Sequence, residues 1–163
     1  EGEGTTFSVY LPRSEAGGET ALRVDEVDKF PGNGERVLIV DDEQALRTTA
    51  RIILEDVGFR TETAKNTEEA LNLLSEAEQD DPFDVILTDV VMSGRSGPQL
   101  VIEALRSNPR YGVVFMSGYP ARSRKELDKL LGNYVFVKKP FRPSQLQKAI
   151  HDALALRAER QKT

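Results

Sequence analysis

Val-Leu-Ile-Val-Asp-Asp, at residues 37–42, is the stretch that decides the fold of this chain, because four apolar residues run directly into two aspartates. Short continuous apolar runs of this kind are typical of strands buried on both faces of a parallel sheet. Three later runs have the same form, and each leads to a polar residue: 85–88 before Asp89, 113–116 before Ser117, and 134–137 shortly before Lys139. Four such runs predict the strands of an α/β domain.

The polar residues at these strand ends predict a common site. Ligands of an open α/β sheet bind beyond the carboxyl ends of its strands, so residues there converge although they are far apart in sequence. Asp41, Asp42 and Asp89 would repel one another there, by roughly 3 kcal/mol per pair at about 5 Å and an effective dielectric of about 20. Oxygen ligands without nearby His or Cys favour Mg²⁺. Lys139 adds a positive charge and Ser117 a hydroxyl donor, a combination typical of a site that holds a phosphoryl group.

Composition and charge exclude several classes of protein. The 163 residues suffice for one domain with a core. Asp and Glu (27) outnumber Lys and Arg (22), and most of the excess lies in residues 1–35, which hold eight acidic and three basic residues. Residues 36–157 hold eighteen acidic and seventeen basic residues, so we expect no nucleic-acid partner. Without cysteine there are no disulfides, and without an apolar run of spanning length we expect no membrane contact.

From residue 36 onward the chain alternates strand and helix patterns. The predicted strands are 36–41, 59–64, 83–88, 113–117 and 134–137. Apolar residues recur at helical spacing between them. The predicted helices are 43–57, one from residue 66 or 67 to 77, 97–107, 122–131 and a last one opened by Pro143. Five β-α units in this order imply a doubly wound α/β fold with right-handed crossovers.

The N-terminal part of the chain has a different character. Phe7, Val9 and Leu11 alternate with polar residues and predict a short strand, and the acidic, glycine-rich stretch after it predicts a linker. The expected division is a strand at 1–12, a linker at 13–35, the domain at 36–157 and a tail at 158–163. The chain does not begin with Met and shows no signal peptide, so we expect a fragment of a longer protein.

Four motifs together resemble the receiver domain of two-component response regulators. They are Val-Leu-Ile-Val-Asp-Asp-Glu at 37–43, Thr-Asp-Val-Val-Met at 88–92, Met-Ser-Gly-Tyr at 116–119 and Phe-Val-Lys-Lys-Pro-Phe at 136–141. The resemblance covers about residues 36–157, and its specificity lies in the order and spacing of all four motifs. It implies a flavodoxin-like five-stranded parallel sheet of order 2-1-3-4-5 with five helices. It also implies a phosphorelay function, in which an aspartate accepts a phosphoryl group from phosphohistidine in the presence of Mg²⁺.

The resemblance assigns roles to the strand-end residues. Asp89 matches the phosphoacceptor, and Lys139 matches the lysine that binds the phosphoryl group. Asp42, Asp89 and the backbone carbonyl of Val91 match the Mg²⁺ ligands. Asp41 would act on the metal through water.

A conformational switch is also implied. Ser117 matches the hydroxyl that moves toward the acyl phosphate, and Phe136 matches the aromatic residue that then turns inward and changes the face formed by the fourth helix, fifth strand and fifth helix. Two departures from the family pattern bear on the site. The family usually has Pro where Ser93 stands, so we expect a looser loop after the acceptor. Val91 and Tyr119 flank the phosphoryl position and neither readily holds an attacking water, so we expect slow self-dephosphorylation.

The leader carries a second resemblance. Gly-Glu-Gly-Thr-Thr-Phe-Ser-Val-Tyr-Leu-Pro, at residues 2–12, is similar to the last strand of a histidine-kinase ATPase domain. Together with the receiver it implies a hybrid sensor kinase whose C-terminal part is this chain, with a histidine kinase or histidine phosphotransfer protein as partner. We expect a cytoplasmic location, with membrane anchorage of the parent left open, and a monomer or weak dimer. The chain would catalyse only its own phosphorylation and dephosphorylation.

Simpler interpretations of the same residues stay open at this point. Asp41 and Asp42 could cap a helix, since aspartate is common at helix starts. The domain could dock partners without being phosphorylated. A Mg²⁺-dependent phosphohydrolase of the haloacid-dehalogenase kind also uses a strand-end aspartate, but it needs a second aspartate where Val91 stands.

Overall fold

A computed structural model of the chain describes residues 30–77, 81–119, 125 and 127–160, together with Gly4, Phe7, Ser8 and Tyr10. Its strands are β1 (Arg36–Val40), β2 (Arg60–Ala64), β3 (Val85–Asp89), β4 (Gly112–Ser117) and β5 (Val135–Lys138). Its helices are α1 (Gln44–Glu55), α2 (Thr67–Ala77), α3 (Gly97–Ser107), α4 (127–130) and α5 (Pro143–Arg160). The strands form one parallel sheet of order β2-β1-β3-β4-β5, which confirms the predicted doubly wound fold.

The interior strand β1 shows why the apolar runs are continuous. Val37 and Ile39 pack into one cluster with residues of α1 and α5, whereas Leu38 and Val40 pack into a second cluster with residues of α2, α3 and α4. All four side chains are fully buried. Successive side chains of a strand point to opposite faces of the sheet, so only an unbroken apolar run can fill both layers.

The strand boundaries differ by one or two residues from the predicted ones. β1 ends at Val40, so Asp41 lies just beyond it, and β3 extends through Asp89. Phe83, which was predicted to open the third strand, precedes it and packs beneath the guanidinium of Arg36, 4.2 Å from the ring centroid. In the predicted helix at 122–131, residue 125 and α4 are helical, and Leu131 lies just beyond the end of α4. Residues 122–124 and 126 lie outside the described residues.

Residues 30–35, the N-terminal strap, lie against the body of the domain. The N–H of Gly32 donates to the carbonyl of Val57 at 2.8 Å, and the ring of Phe30 contacts that of His151 with centroids 5.8 Å apart. A Cβ on Gly32 would lie 2.7 Å from the ring of Phe59, so only glycine fits this approach. These contacts attach the strap at the edge of the sheet where the strands begin, opposite the strand ends that carry the aspartates.

The predicted leader falls largely outside the described residues. Of residues 1–29 the structure describes Gly4, Phe7, Ser8 and Tyr10, none of which is in a strand, and the side chains of Phe7 and Tyr10 are exposed. The strand at 1–12, the linker at 13–35 and the domain boundary at 36 therefore stay predictions. Among the described residues, no helix has both the length and the apolar character needed to cross a membrane.

Candidate functional site

Three carboxylates meet at the edge of the sheet where the parallel strands end. Asp41 and Asp42 follow β1, and Asp89 ends β3, the neighbouring strand. One oxygen from each of the three lies within 4.8 Å of the others. Oxygen donors without His or Cys fit the preference of Mg²⁺. The structure thus brings together the side chains that the strand ends predicted, while their individual roles stay predictions.

Asp41 is buried and held by two donors. Its Oδ1 accepts a hydrogen bond from the N–H of Glu43 at 2.9 Å, and its Oδ2 accepts one from Lys139 Nζ at 2.6 Å. Arg47, one turn into α1, donates to its backbone carbonyl at 2.6 Å. The residue at the start of α1 is Glu43, without a side-chain capping bond. Asp41 therefore makes an ion pair with Lys139, a contact that the helix-cap interpretation does not explain.

Lys139 connects two of the carboxylates. Its Nζ lies 2.6 Å from Asp41 Oδ2 and 3.2 Å from Asp89 Oδ2. The backbone places it there, since its N–H donates to the carbonyl of Ser117 at 2.9 Å just beyond the pairing of β4 with β5. A cis peptide bond follows between Lys139 and Pro140. The lysine thus supplies the positive charge that two adjacent buried carboxylates require.

Asp89 is largely buried, and this burial raises the pKa of its carboxyl, although the charge of Lys139 opposes the change. Its backbone is closely packed as well. A Cβ on Gly97 would lie 2.0 Å from the carbonyl oxygen of Asp89, and the hydroxyl of Thr88 donates to the same oxygen at 3.1 Å. The first residue of α3 must therefore be glycine for Asp89 to occupy this position.

Asp42 has a different environment from its two neighbours. It is exposed, and its Oδ2 accepts a hydrogen bond from the backbone N–H of Ser93 at 2.9 Å. This bond lowers the pKa of Asp42. The loop is also attached further on, where the hydroxyl of Thr67 donates to the carbonyl of Arg95 at 3.0 Å. The N–H that a proline would lack thus connects this loop to Asp42, while the expectation of a looser loop at Ser93 stays a prediction.

The predicted switch residues lie on the two strands beyond β3. Ser117 is buried at the end of β4, and its Oγ accepts a hydrogen bond from the N–H of Tyr119 at 3.1 Å. Phe136 is half-buried on β5, paired with Phe115 and packed against the core cluster that includes Leu127 of α4. Their switching roles stay predictions.

Val91 and Tyr119 lie in the loops that follow Asp89 and Ser117. Their side chains are 69% and 80% exposed, respectively. Both side chains are therefore accessible to a partner or to water, while their position beside the phosphoryl group stays a prediction. The role of the Val91 carbonyl as a metal ligand stays a prediction.

Sequence reasoning missed three contributors to the site: the N–H of Ser93, the close approach at Gly97 and the bond from Arg47. Gly97 carried a signal, because a glycine just before Pro98 at a helix start is a place where the backbone often approaches a neighbour. The other two are backbone contacts that residue types do not reveal.

Comparison with known proteins agrees with this geometry. Residues 37–151 match the family model described as the response regulator receiver domain. The chain belongs to this family. It is a receiver domain of two-component systems, as the four motifs implied. Such domains generally bind Mg²⁺ at an acidic pocket and interact with histidine kinases or phosphotransfer proteins.

Two curated relatives place the receiver in longer proteins. The chain is 29% identical over 161 residues to the sensor kinase CckA of Brucella abortus (strain 2308), covering 94% of this chain and 17% of CckA. It is 31% identical over 123 residues to the response regulator protein PilR of Pseudomonas aeruginosa, covering 76% of this chain and 27% of PilR. The chain thus spans less than a third of either relative.

Solved structures show the same fold. The receiver domain of the hybrid histidine kinase CckA superposes with a TM-score of 0.61 at 29% identity, covering 73% of this chain and 98% of that one. Chemotaxis protein CheY4 of Vibrio cholerae superposes with a TM-score of 0.68 at 28% identity, covering 74% and 99%.

Proposed function

We propose that this receiver accepts a phosphoryl group from a phosphohistidine onto Asp89 and that the modified aspartate changes the face formed by α4, β5 and α5. One observation carries the proposal. A largely buried carboxylate ends the central strand β3 with Lys139 Nζ 3.2 Å from its Oδ2 and two further carboxylates within 4.8 Å. A structural ion pair with Lys139 would need one carboxylate, whereas the excess of negative charge in this cluster suits a metal ion, which together with Lys139 would attract the incoming phosphoryl group.

The transfer itself follows from these positions. An oxygen of Asp89 attacks phosphorus in line, the O–P bond forms, and the P–N bond to the imidazole of the donor breaks. Lys139 neutralises charge on the phosphoryl oxygens as they approach. Asp42, Asp89 and the backbone carbonyl of Val91 would hold Mg²⁺, with Asp41 acting through water. When bound, the metal supplies positive charge to the equatorial oxygens.

The output follows from the two residues on β4 and β5. A phosphoryl group on Asp89 offers acceptors that would draw the Ser117 hydroxyl away from the N–H of Tyr119, with which it is now bonded. The space released would let Phe136 turn inward. A shift from 1:99 to 99:1 between two states needs about 5.5 kcal/mol, which a few charge-assisted hydrogen bonds of about 1.5–3 kcal/mol each could supply.

We also infer that the chain is the C-terminal part of a hybrid sensor kinase. The receiver model covers residues 37–151, whereas the similarity to the sensor kinase CckA covers 94% of the chain and so extends beyond the receiver. This supports the interpretation of 1–12 as the end of a kinase ATPase domain and 13–35 as a linker. The donor would be a histidine kinase or a histidine phosphotransfer protein. We expect the fragment to be cytoplasmic and a monomer or weak dimer.

The decisive experiment is intact-mass measurement after incubation with Mg²⁺ and phosphoramidate or acetyl phosphate. We expect one added phosphoryl group in the wild type, none in Asp89→Ala, and none in the wild type with EDTA. Asp56→Ala, which alters an exposed aspartate just after the far end of α1, is the matched control and should be modified normally. Absence of the added mass under all conditions would refute the proposal and favour a domain that docks partners without phosphorylation.

A further inference from the structure

The hydrogen bond from the backbone N–H of Ser93 could not be predicted from the residue types at this site. It donates to Oδ2 of Asp42 at 2.9 Å across the open side of the acidic cluster. Asp42 is exposed, so no packing restricts its side chain as burial restricts Asp41. A carboxylate on the surface otherwise samples several rotamers, and a donor at a fixed position selects one of them.

The loop that carries this N–H is itself fixed at several points. Gly94 has a positive φ of 88°, which permits the turn directly after Ser93. The carbonyl of Arg95 accepts from the buried hydroxyl of Thr67 at 3.0 Å. The N–H of Ser96 is fixed as well, because it donates a hydrogen bond to the side chain of Gln99 in α3 at 2.9 Å. The donor is therefore positioned before any ligand arrives.

We propose that Ser93 is a positioning residue for Mg²⁺ binding, in which its backbone N–H holds the Asp42 carboxylate with one oxygen engaged and the other directed to the metal. The inference rests on the proposed function, since it requires that the acidic cluster binds Mg²⁺. The hydroxyl of Ser93 also contacts Asp42, so backbone and side-chain contributions must be separated.

Two variants separate them. Ser93→Ala keeps the N–H and removes the hydroxyl, whereas Ser93→Pro removes both. Ser93→Pro therefore differs from Ser93→Ala in lacking the N–H and in having a fixed φ at residue 93. Isothermal titration with Mg²⁺ should give a Kd about 2- to 12-fold weaker for Ser93→Pro than for Ser93→Ala, the range that corresponds to ordering one side chain. Equal Kd values for the two variants would overturn the inference.

A second readout does not depend on the fold of the proline variant. In the metal-free wild type, the amide proton of Ser93 should resonate downfield, as expected for a donor to a carboxylate, and should move upfield in Asp42→Ala. An amide signal that is the same in both proteins would refute the hydrogen bond itself.

The phosphorylation assay distinguishes the failure of this inference from the failure of the proposed function. If the wild type is phosphorylated with Mg²⁺ while Ser93→Pro binds the metal as Ser93→Ala does, only the role of Ser93 fails; if the wild type binds no Mg²⁺, both fail.

Discussion

Replacing Asp89 by asparagine should stabilise the metal-free domain. The substitution keeps the shape of the side chain and removes one negative charge from a cluster that holds three. Asp41 and Asp42 have oxygens within 4.8 Å of that of Asp89. Lys139 keeps its closer partner, Asp41 Oδ2 at 2.6 Å, so the variant leaves no buried charge unpaired.

The magnitude follows from the distances around Asp89. At 4.8 Å and an effective dielectric of about 20, each of the two repulsions is worth about 3.5 kcal/mol. The attraction of Lys139 at 3.2 Å is worth about 5 kcal/mol on the same scale. These values leave a net penalty of about 2 kcal/mol on charged Asp89. Screening at the exposed Asp42 reduces this penalty, whereas desolvation of the Asp89 carboxylate adds to it, so we expect the free energy of unfolding to rise by about 1–2 kcal/mol.

The gain should depend on pH in one direction. Burial raises the pKa of Asp89. A carboxyl with a raised folded-state pKa contributes stability that is present below its unfolded pKa, about 3.9, and that is lost as pH rises through the folded-state value. The wild type therefore carries the full penalty at neutral pH and little of it below about pH 4. The higher stability of Asp89→Asn should therefore disappear as the pH falls from neutral to about 4.

Urea unfolding in EDTA and in saturating Mg²⁺ measures both effects. In EDTA the variant should be the more stable protein. With Mg²⁺ at 100 times its Kd the wild type should gain about 2.7 kcal/mol, and the variant, which has lost a charged ligand, should gain much less. Asp56→Asn is the control and should change neither quantity. A variant that is less stable than the wild type in EDTA at pH 7 would refute the electrostatic reasoning.

Three further substitutions test the geometry. Gly97→Ala places a Cβ 2.0 Å from the carbonyl of Asp89, so it should reduce phosphorylation by mass measurement and lower stability by about 1–3 kcal/mol; normal phosphorylation would contradict the close approach. Gly32→Ala, with a Cβ 2.7 Å from Phe59, should lower the urea midpoint by a similar energy while leaving phosphorylation intact. Val91→Asn should speed decay of the phosphorylated form on the order of tenfold, because a polar side chain can hold the attacking water; an unchanged decay, with the wild type already decaying in seconds, would show the prediction to be wrong.

The parallel sheet and the convergence of the carboxylates could be predicted because both follow from side-chain type and spacing, whereas the strand order came from the resemblance to the receiver family. An unbroken apolar run such as 37–40 fits only a strand covered on both faces, and its carboxyl end then determines where Asp41 and Asp42 lie. The partners of Lys139 were predictable for the same reason, since it follows the fifth strand of the same sheet.

The loop after Asp89 could not be predicted in the same way, because its contacts come from the backbone. Every residue except proline has a backbone N–H. The residue type at position 93 therefore shows that a hydrogen-bond donor is present, but it does not show which group accepts the bond. The replacement of proline by serine suggested lost rigidity, whereas the structure shows a gained hydrogen bond to Asp42. The strap was missed for a related reason: a run of Pro, Gly and Asn at 31–34 is typical of linkers, and its contacts with Val57 and Phe59 depend on the folded body.

Asp89 and Asp42 have opposite environments, and the proposed mechanism gives them different roles. Burial raises the pKa of Asp89, whereas the N–H of Ser93 lowers that of Asp42. Pairs of carboxyl groups whose environments separate their pKa values commonly serve different chemical roles. A buried carboxylate that is poorly solvated is the better nucleophile toward phosphorus, while an exposed carboxylate that stays ionised is the better ligand for a hydrated cation. In the proposed mechanism, in which Asp89 is the acceptor and Asp42 a metal ligand, the loop at Ser93 would support the second role through its N–H, which donates to Asp42 Oδ2 at 2.9 Å.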